Sequence, residues 1–77
     1  MRTAFILLRT EPARERDVYL QLQELPEVIE THALYGEFDL LAKVEADSAK
    51  GLTEMLISTM RTIDGVRETQ TLITVDY

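Results

Sequence analysis

From residue 3 to residue 10 apolar side chains fall on both alternations. Thr3, Phe5, Leu7 and Arg9 share one side, and Ala4, Ile6, Leu8 and Thr10 the other. A strand this apolar on both sides predicts cover on both sides. The period then changes. Pro12 suits a first helical turn, with Thr10 or Glu11 in the cap region. Over residues 13–25, Val18, Leu22 and Leu25 recur at i, i+4 and i+7, and Arg14, Asp17, Gln21 and Glu24 take the opposite side. This predicts an amphipathic helix that Pro26 ends.

Alternation returns over residues 28–35. Val28, Glu30, His32 and Leu34 lie on one side, and Ile29, Thr31, Ala33 and Tyr35 on the other. A short turn, Gly36-Glu37 or Gly36-Glu37-Phe38, leads into a strand over residues 40–45, with Phe38, Leu40, Ala42 and Val44 on one face. Two alternating runs across a short Gly loop predict a hairpin. Asp47 or Ser48 caps a second helix reaching about residue 62, with the stripe Leu52, Met55, Leu56, Thr59, Met60 and Ile63. Asp64-Gly65 closes it. The last strand, residues 66–75, sets Arg67, Thr69, Thr71, Ile73 and Val75 against Glu68, Gln70, Leu72 and Thr74.

The predicted order is β-α-β-β-α-β in a single domain, residues 1–77. An internal repeat supports it. Val28, Glu30, Thr31 and Leu34 match Val66, Glu68, Thr69 and Leu72 at an offset of 38, and Leu7, Arg9 and Glu11 match Leu41, Lys43 and Glu45 at an offset of 34. The offsets differ by 38 − 34 = 4, about one helical turn, so the second helix should be about one turn longer. Two β-α-β halves related by a pseudo-twofold describe an α+β, ferredoxin-like sandwich: a four-stranded antiparallel sheet with two helices on one face.

Two helices leave the other sheet face bare, although the first strand is apolar on both sides and the other strands put Ile, Leu, Tyr or Val on both sides as well. A second copy packed sheet to sheet about a twofold axis would cover it, giving a dimeric α+β barrel with the helices outside. Size points the same way. A chain of 77 residues buries only about 60–65% of its unfolded surface and gains from self-association.

Composition narrows the chemistry. Without cysteine there is no disulfide framework, thiolate metal site or cysteine nucleophile. The net charge is −6, and the six arginines and two lysines are scattered among 14 carboxylates. That argues against direct nucleic-acid contact, which depends on neutralised phosphates. No apolar run approaches the ~18 residues of a membrane span. The apolar start breaks at Arg9 and shows no cleavage site, so no secretory leader is read. The expected location is the cytoplasm, with no membrane partner.

Catalytic signals are thin. His32 is the lone histidine and sits mid-strand, where packing or hydrogen bonding at an interface is favoured over general-base work. Ser48 and Ser58 lack a nucleophile-elbow context. Glu27, Glu30, Glu37, Asp39, Glu45 and Asp47 read as surface charge, without calcium-loop spacing. The three glycines, Gly36, Gly51 and Gly65, form no phosphate loop. Met55 and Met60 read as core. No metal, cofactor or catalytic residue is expected. One segment differs, Gly36-Glu37-Phe38-Asp39. Gly36 offers a positive-φ turn residue with an accessible N–H, and Asp39 sets a carboxylate beside apolar neighbours. Such a loop could hold an amino acid, amides on its carboxylate and Asp39 on its ammonium. From the residues alone, a plain hairpin stabilised by its Asp is the favoured reading.

The chain resembles the effector-binding (RAM) domain of the Lrp/AsnC transcription regulators. Leu34-Tyr35-Gly36-Glu37-Phe38-Asp39-Leu40-Leu41-Ala42-Lys43-Val44 carries the G-x-[FY]-D hairpin and its apolar strand. Ile63-Asp64-Gly65-Val66-Arg67-Glu68-Thr69-Gln70-Thr71 carries the turn and T-x-T strand, with Asp64 where a proline is usual. The resemblance covers essentially the whole chain. It implies sheet-to-sheet homodimers, further assembly into octamers or similar rings, and small effectors, usually amino acids, bound between dimers. The ligand-binding residues it implies are Leu34, Tyr35, Gly36, Glu37, Phe38 and Asp39, with Thr69 and Thr71 on the last strand. Since the sequence begins at the first strand, the expectation is a stand-alone form without the helix-turn-helix. Any transcription-related role would then run through a full-length Lrp/AsnC relative or another partner.

Two functions are carried forward. The first is a non-enzymatic amino-acid-sensing and oligomerisation module. The second is a small dimeric α+β barrel enzyme, monooxygenase- or isomerase-like, with a pocket near His32. An enzyme needs a cavity within each subunit holding His32, Tyr35 or Asp39, whereas a sensor needs its site at the hairpin, between dimers.

Overall fold

A computed structural model describes residues 2–75. The elements are β1 (Arg2–Thr10), α1 (Glu15–Gln23), β2 (Val28–Ala33), β3 (Leu40–Ala46), α2 (Ala49–Ser58), a 3-10 turn (Met60–Thr62) and β4 (Val66–Ile73). All pairings are antiparallel, in the order β2-β3-β1-β4. The strands that the repeat equates, β1 with β3 and β2 with β4, become the central pair and the two edges. This is the ferredoxin-like α+β fold.

Alternation divides the sheet cleanly. Ala4, Ile6 and Leu8 of β1 and Leu40, Ala42 and Val44 of β3 are buried beneath the helices with Val18 and Leu22 of α1 and Leu52 and Met55 of α2. Burying such side chains contributes about 1.5–3 kcal/mol each. Thr3, Phe5, Leu7, Arg9, Leu41 and Lys43 point to the other face and are half-buried within the protomer. On β4, Glu68, Gln70 and Leu72 stand opposite Arg9, Leu7 and Phe5 and complete that open face.

Several boundaries move for identifiable reasons. α1 begins at Glu15 rather than residue 13 because Ala13 adopts φ +64°, left-handed backbone that no right-handed helix contains. β2 ends at Ala33, and residues 34–39 form a loop longer than the two or three residues predicted. Val28 leaves the His32 side: a register shift between Val28 and Glu30 sets Val28 opposite Val44 on the helix side, while Glu30 and His32 stand opposite Lys43 and Leu41. α2 is capped by the Ser48 hydroxyl, which accepts the Gly51 N–H at 3.0 Å. It then tightens into the 3-10 turn. β4 ends at Ile73 rather than residue 75.

A polar latch ties the two halves together. Arg14 donates to Asp17 at 3.0 Å and to Asp64 at 2.9 Å. Gln21 exchanges two hydrogen bonds with the Asp64 backbone, at 2.8 and 3.2 Å. Next to it Gly65, at φ +98°, lies so close to α1 that an added Cβ would meet Val18 Cγ2 at 3.1 Å.

Candidate functional site

The loop between β2 and β3 is closed by backbone and side chain together. Leu34 N–H donates to the Asp39 carbonyl at 2.8 Å, and Asp39 N–H to the Leu8 carbonyl at 2.9 Å. One Asp39 carboxylate oxygen, Oδ2, accepts both the Thr10 N–H at 2.8 Å and the Thr10 hydroxyl at 3.1 Å. Thr10 is a buried polar residue, and this carboxylate satisfies both of its donors. Gly36 sits at φ +154° with open space where a Cβ would be, so backbone conformation rather than crowding favours glycine there.

The remaining predicted residues divide. Tyr35 stands wholly in solvent, and Leu34 and Glu37 are exposed. Phe38 is half-buried, its ring 5.3 Å from the Arg9 guanidinium carbon. Thr69 and Thr71 face the opposite side of the sheet from Arg9, being paired with Leu8 and Ile6. There they line a groove of about 490 Å³ between α2 and β4, with Leu56, Ile57, Met60 and Ile63. The structure therefore gathers residues 34–39 at the end of β1 and sets the two threonines apart from them.

Sequence reasoning missed Arg9. Its Nη2 lies 3.6 Å from Glu37 Oε1 and its Nε 3.2 Å from Glu68 Oε1. The second contact is off the N–H axis, leaving the buried Nε–H without a hydrogen-bond acceptor. The signal was present in the repeat, which equates Arg9 with Lys43 and Glu68 with Glu30. Those partners also form a pair, with Lys43 Nζ 3.6 Å from Glu30 Oε2 and 5.9 Å from the Phe5 ring centre. His32 Nε2 lies 3.2 Å from Glu30 Oε1. That hydrogen bond, with Lys43 as the next contribution, holds the Glu30 carboxyl below its ordinary range.

His32 also borders a surface hollow of about 430 Å³ between α1 and β2, with Tyr19, Thr31 and Leu40; Tyr35 and Asp39 are not part of its lining. Among the described residues no three His, Cys, Asp or Glu side chains converge as a metal site. No helix among them is long and apolar enough to cross a membrane.

Comparison with known proteins covers nearly the whole chain. The family model described as the Lrp/AsnC ligand binding domain matches residues 3–76. Uncharacterized HTH-type transcriptional regulators of Pyrococcus abyssi and Pyrococcus horikoshii are each 40% identical to it, over 96% and 92% of this chain and 51% and 49% of their own. The chain thus spans about half the length of the curated relatives it matches. Among solved structures, FFRP-DM1 superposes with a TM-score of 0.93 at 40% identity, over 97% of this chain and all of its own. AsnC of E. coli gives 0.89 at 28% identity, over 99% of this chain and 52% of its own. A Neisseria meningitidis transcriptional regulator solved with L-Met, at 23% identity and a TM-score of 0.84 over 97% of this chain and 50% of its own, shares the fold.

Proposed function

The chain belongs to the Lrp/AsnC ligand-binding domain family, and from that premise we propose that its 77 residues work as one cytoplasmic, non-catalytic domain that binds an amino-acid effector and assembles with copies of itself. The observation that carries this reading is the loop of residues 34–39, anchored on Thr10 through Asp39 at the rim of an open apolar sheet face. That face presents Phe5, Leu7, Leu41 and Leu72, which a second sheet would cover. Pairing leaves the loops at the rim of each dimer, where a further dimer and a small effector can meet. An effector binding only one assembly shifts the equilibrium toward it by mass action. The presence of L-Met in the Neisseria regulator supports an amino acid as the ligand class. The regulator names of the relatives support a role in transcription, exercised through a full-length Lrp/AsnC partner rather than by direct DNA contact.

Thermal shift with the standard amino acids, paired with light scattering, tests this. The expected result is a raised melting temperature and a changed particle mass for a subset of them. Silence across the whole panel, with constant mass, overturns sensing.

A further inference from the structure

β2 is an outer strand of the sheet, and among the described residues nothing pairs with its free side. The Leu34 N–H donates to the Asp39 carbonyl, and Ala33 and Leu40 are the next pair along. Bonded pairs alternate in an antiparallel ladder, so His32 and Glu30 turn their backbone groups toward β3, and Thr31 and Ala33 turn theirs outward. Edge strands are commonly guarded by lysine or proline. Residues 28–33 contain neither, and the register shift at the start of β2 leaves residues 30–33 regular. On the helix side of this edge, Ile29, Thr31 and Ala33 line two hollows against α1, of about 250 and 430 Å³. Ile29 is 46% exposed there. Glu30 and His32 stand on the other side, opposite Lys43 and Leu41 at the margin of the open face. The edge itself is therefore outside the area that a second sheet covers, but continuous with it.

Residues 29–33 are also complementary to themselves. A twofold axis at Thr31 sets two antiparallel copies with Thr31 opposite the partner's Thr31, Ile29 opposite the partner's Ala33, and Glu30 opposite the partner's His32. Moving the axis to His32 sets Glu30 against the partner's Leu34. Moving it to Glu30 sets two carboxylates face to face, which opposes pairing. Charge thus selects the register centred on Thr31.

We propose that β2 is a self-recognising edge, through which sheet-paired dimers of this chain join into larger assemblies by antiparallel β2–β2 pairing centred on Thr31. This deepens the assembly reading above and rests on its sheet-to-sheet dimer. Thr31 exchanges N–H and C=O bonds with its copy across the seam. The exposed Ile29 gains an apolar neighbour in the partner's Ala33, and each Glu30 carboxylate faces an imidazole rather than its like. One short strand pair is marginal by itself, so lone protomers gain little from it. A dimer presents two such edges, and closing a ring of dimers makes the last seam intramolecular.

The test is sedimentation of the wild-type protein, Thr31→Pro, His32→Glu, and the exchange of Glu30→His with His32→Glu, at equal micromolar concentration. Wild type should sediment as a particle larger than a dimer. Proline at residue 31 removes only an outward N–H, which an edge strand tolerates. Its circular dichroism should therefore match wild type while its mass falls to that of a dimer. His32→Glu sets carboxylates opposite each other across the seam and should weaken it about tenfold. The exchange restores unlike partners with the same composition and should restore the wild-type mass. If Thr31→Pro does not fold, the single and exchanged variants decide. Wild type that stays a dimer overturns the seam and leaves sheet pairing standing. A larger wild-type particle whose mass these variants leave unchanged assembles through another surface, β4 included, and also overturns it. A folded wild-type monomer removes both the seam and the sheet pairing.

Discussion

Asp39 and Thr10 are 29 positions apart, yet one oxygen of the Asp39 carboxylate takes both donors of Thr10. The consequence is mechanical. The end of β1 and the start of β3 become one unit, and the β2–β3 loop leaves it from a fixed point. Hydrogen bonds to a charged acceptor contribute about 1.5–3 kcal/mol, so Asp39→Ala should lower unfolding stability by that order. Thr10→Val keeps the backbone donor and should cost about 1 kcal/mol. Chemical denaturation measures both. Faster amide exchange at Leu34 in Asp39→Ala, relative to Thr10→Val, would show that the loop itself loosens.

Among the described residues three have positive φ, and they should answer substitution differently. Ala13, at φ +64°, carries left-handed strain of about 1–2 kcal/mol that glycine lacks. Against this, glycine makes the unfolded chain looser by about 0.4–1 kcal/mol. Ala13→Gly should therefore stabilise by roughly 0.5 kcal/mol. Gly65→Ala meets both strain and the Val18 contact and should destabilise by about 1 kcal/mol or more. Gly36→Ala meets strain in open space and should fall between them. The order of the three melting temperatures is the readout.

The Glu30 carboxyl is held low mainly by its hydrogen bond to His32 and next by Lys43. A carboxyl lowered in the folded state stabilises the fold above its unfolded value, and that contribution fades as pH falls through the lowered one. Glu30 lies in solvent, so the effect on stability is small, and the titration itself is the sharper measurement. In an NMR titration, His32→Ala should raise the Glu30 midpoint toward the ordinary carboxylate range, and Lys43→Met should raise it less.

The parts of the fold readable from the chain are those written in its periods. The doubled alternation of β1, the α1 stripe of Val18 and Leu22 and the repeat linking Glu30 to Glu68 all correspond to observed features. What escaped the reading depends on contacts distant in sequence or on local backbone choices. Val28-Ile29 is apolar on both alternations, so nothing in the pattern marks the register shift that separates Val28 from Glu30. The latch from Arg14 to Asp64 spans 50 positions, and Arg14 reads simply as the polar side of a helix. Around the candidate site, the Gly36–Asp39 segment was legible as a turn, because glycine and a carboxylate among apolar neighbours mark one. Arg9 was not, because an arginine closing a strand looks like ordinary surface charge until Glu37, Phe38 and Glu68 are brought beside it.

The open sheet face makes the last prediction. Leu7 and Leu41 stand opposite each other at its centre, half-buried in one protomer, with Phe5 and Leu72 in the adjoining row. If a second sheet covers them, a carboxylate at Leu7 or Leu41 has to be desolvated against its twin copy, which costs several kcal/mol and opposes pairing. Within a lone protomer the same carboxylate still reaches water, so the fold should survive. Leu7→Glu and Leu41→Glu are thus expected to keep the circular dichroism spectrum of the wild type while sedimenting as monomers. Wild type at the same micromolar concentration should sediment as a dimer or larger. Leu20→Glu, on the exposed side of α1, should leave the mass unchanged and separates a face-specific effect from a general one. A wild-type protein that sediments as a folded monomer removes the interface, because the apolar face would then be stable in water on its own.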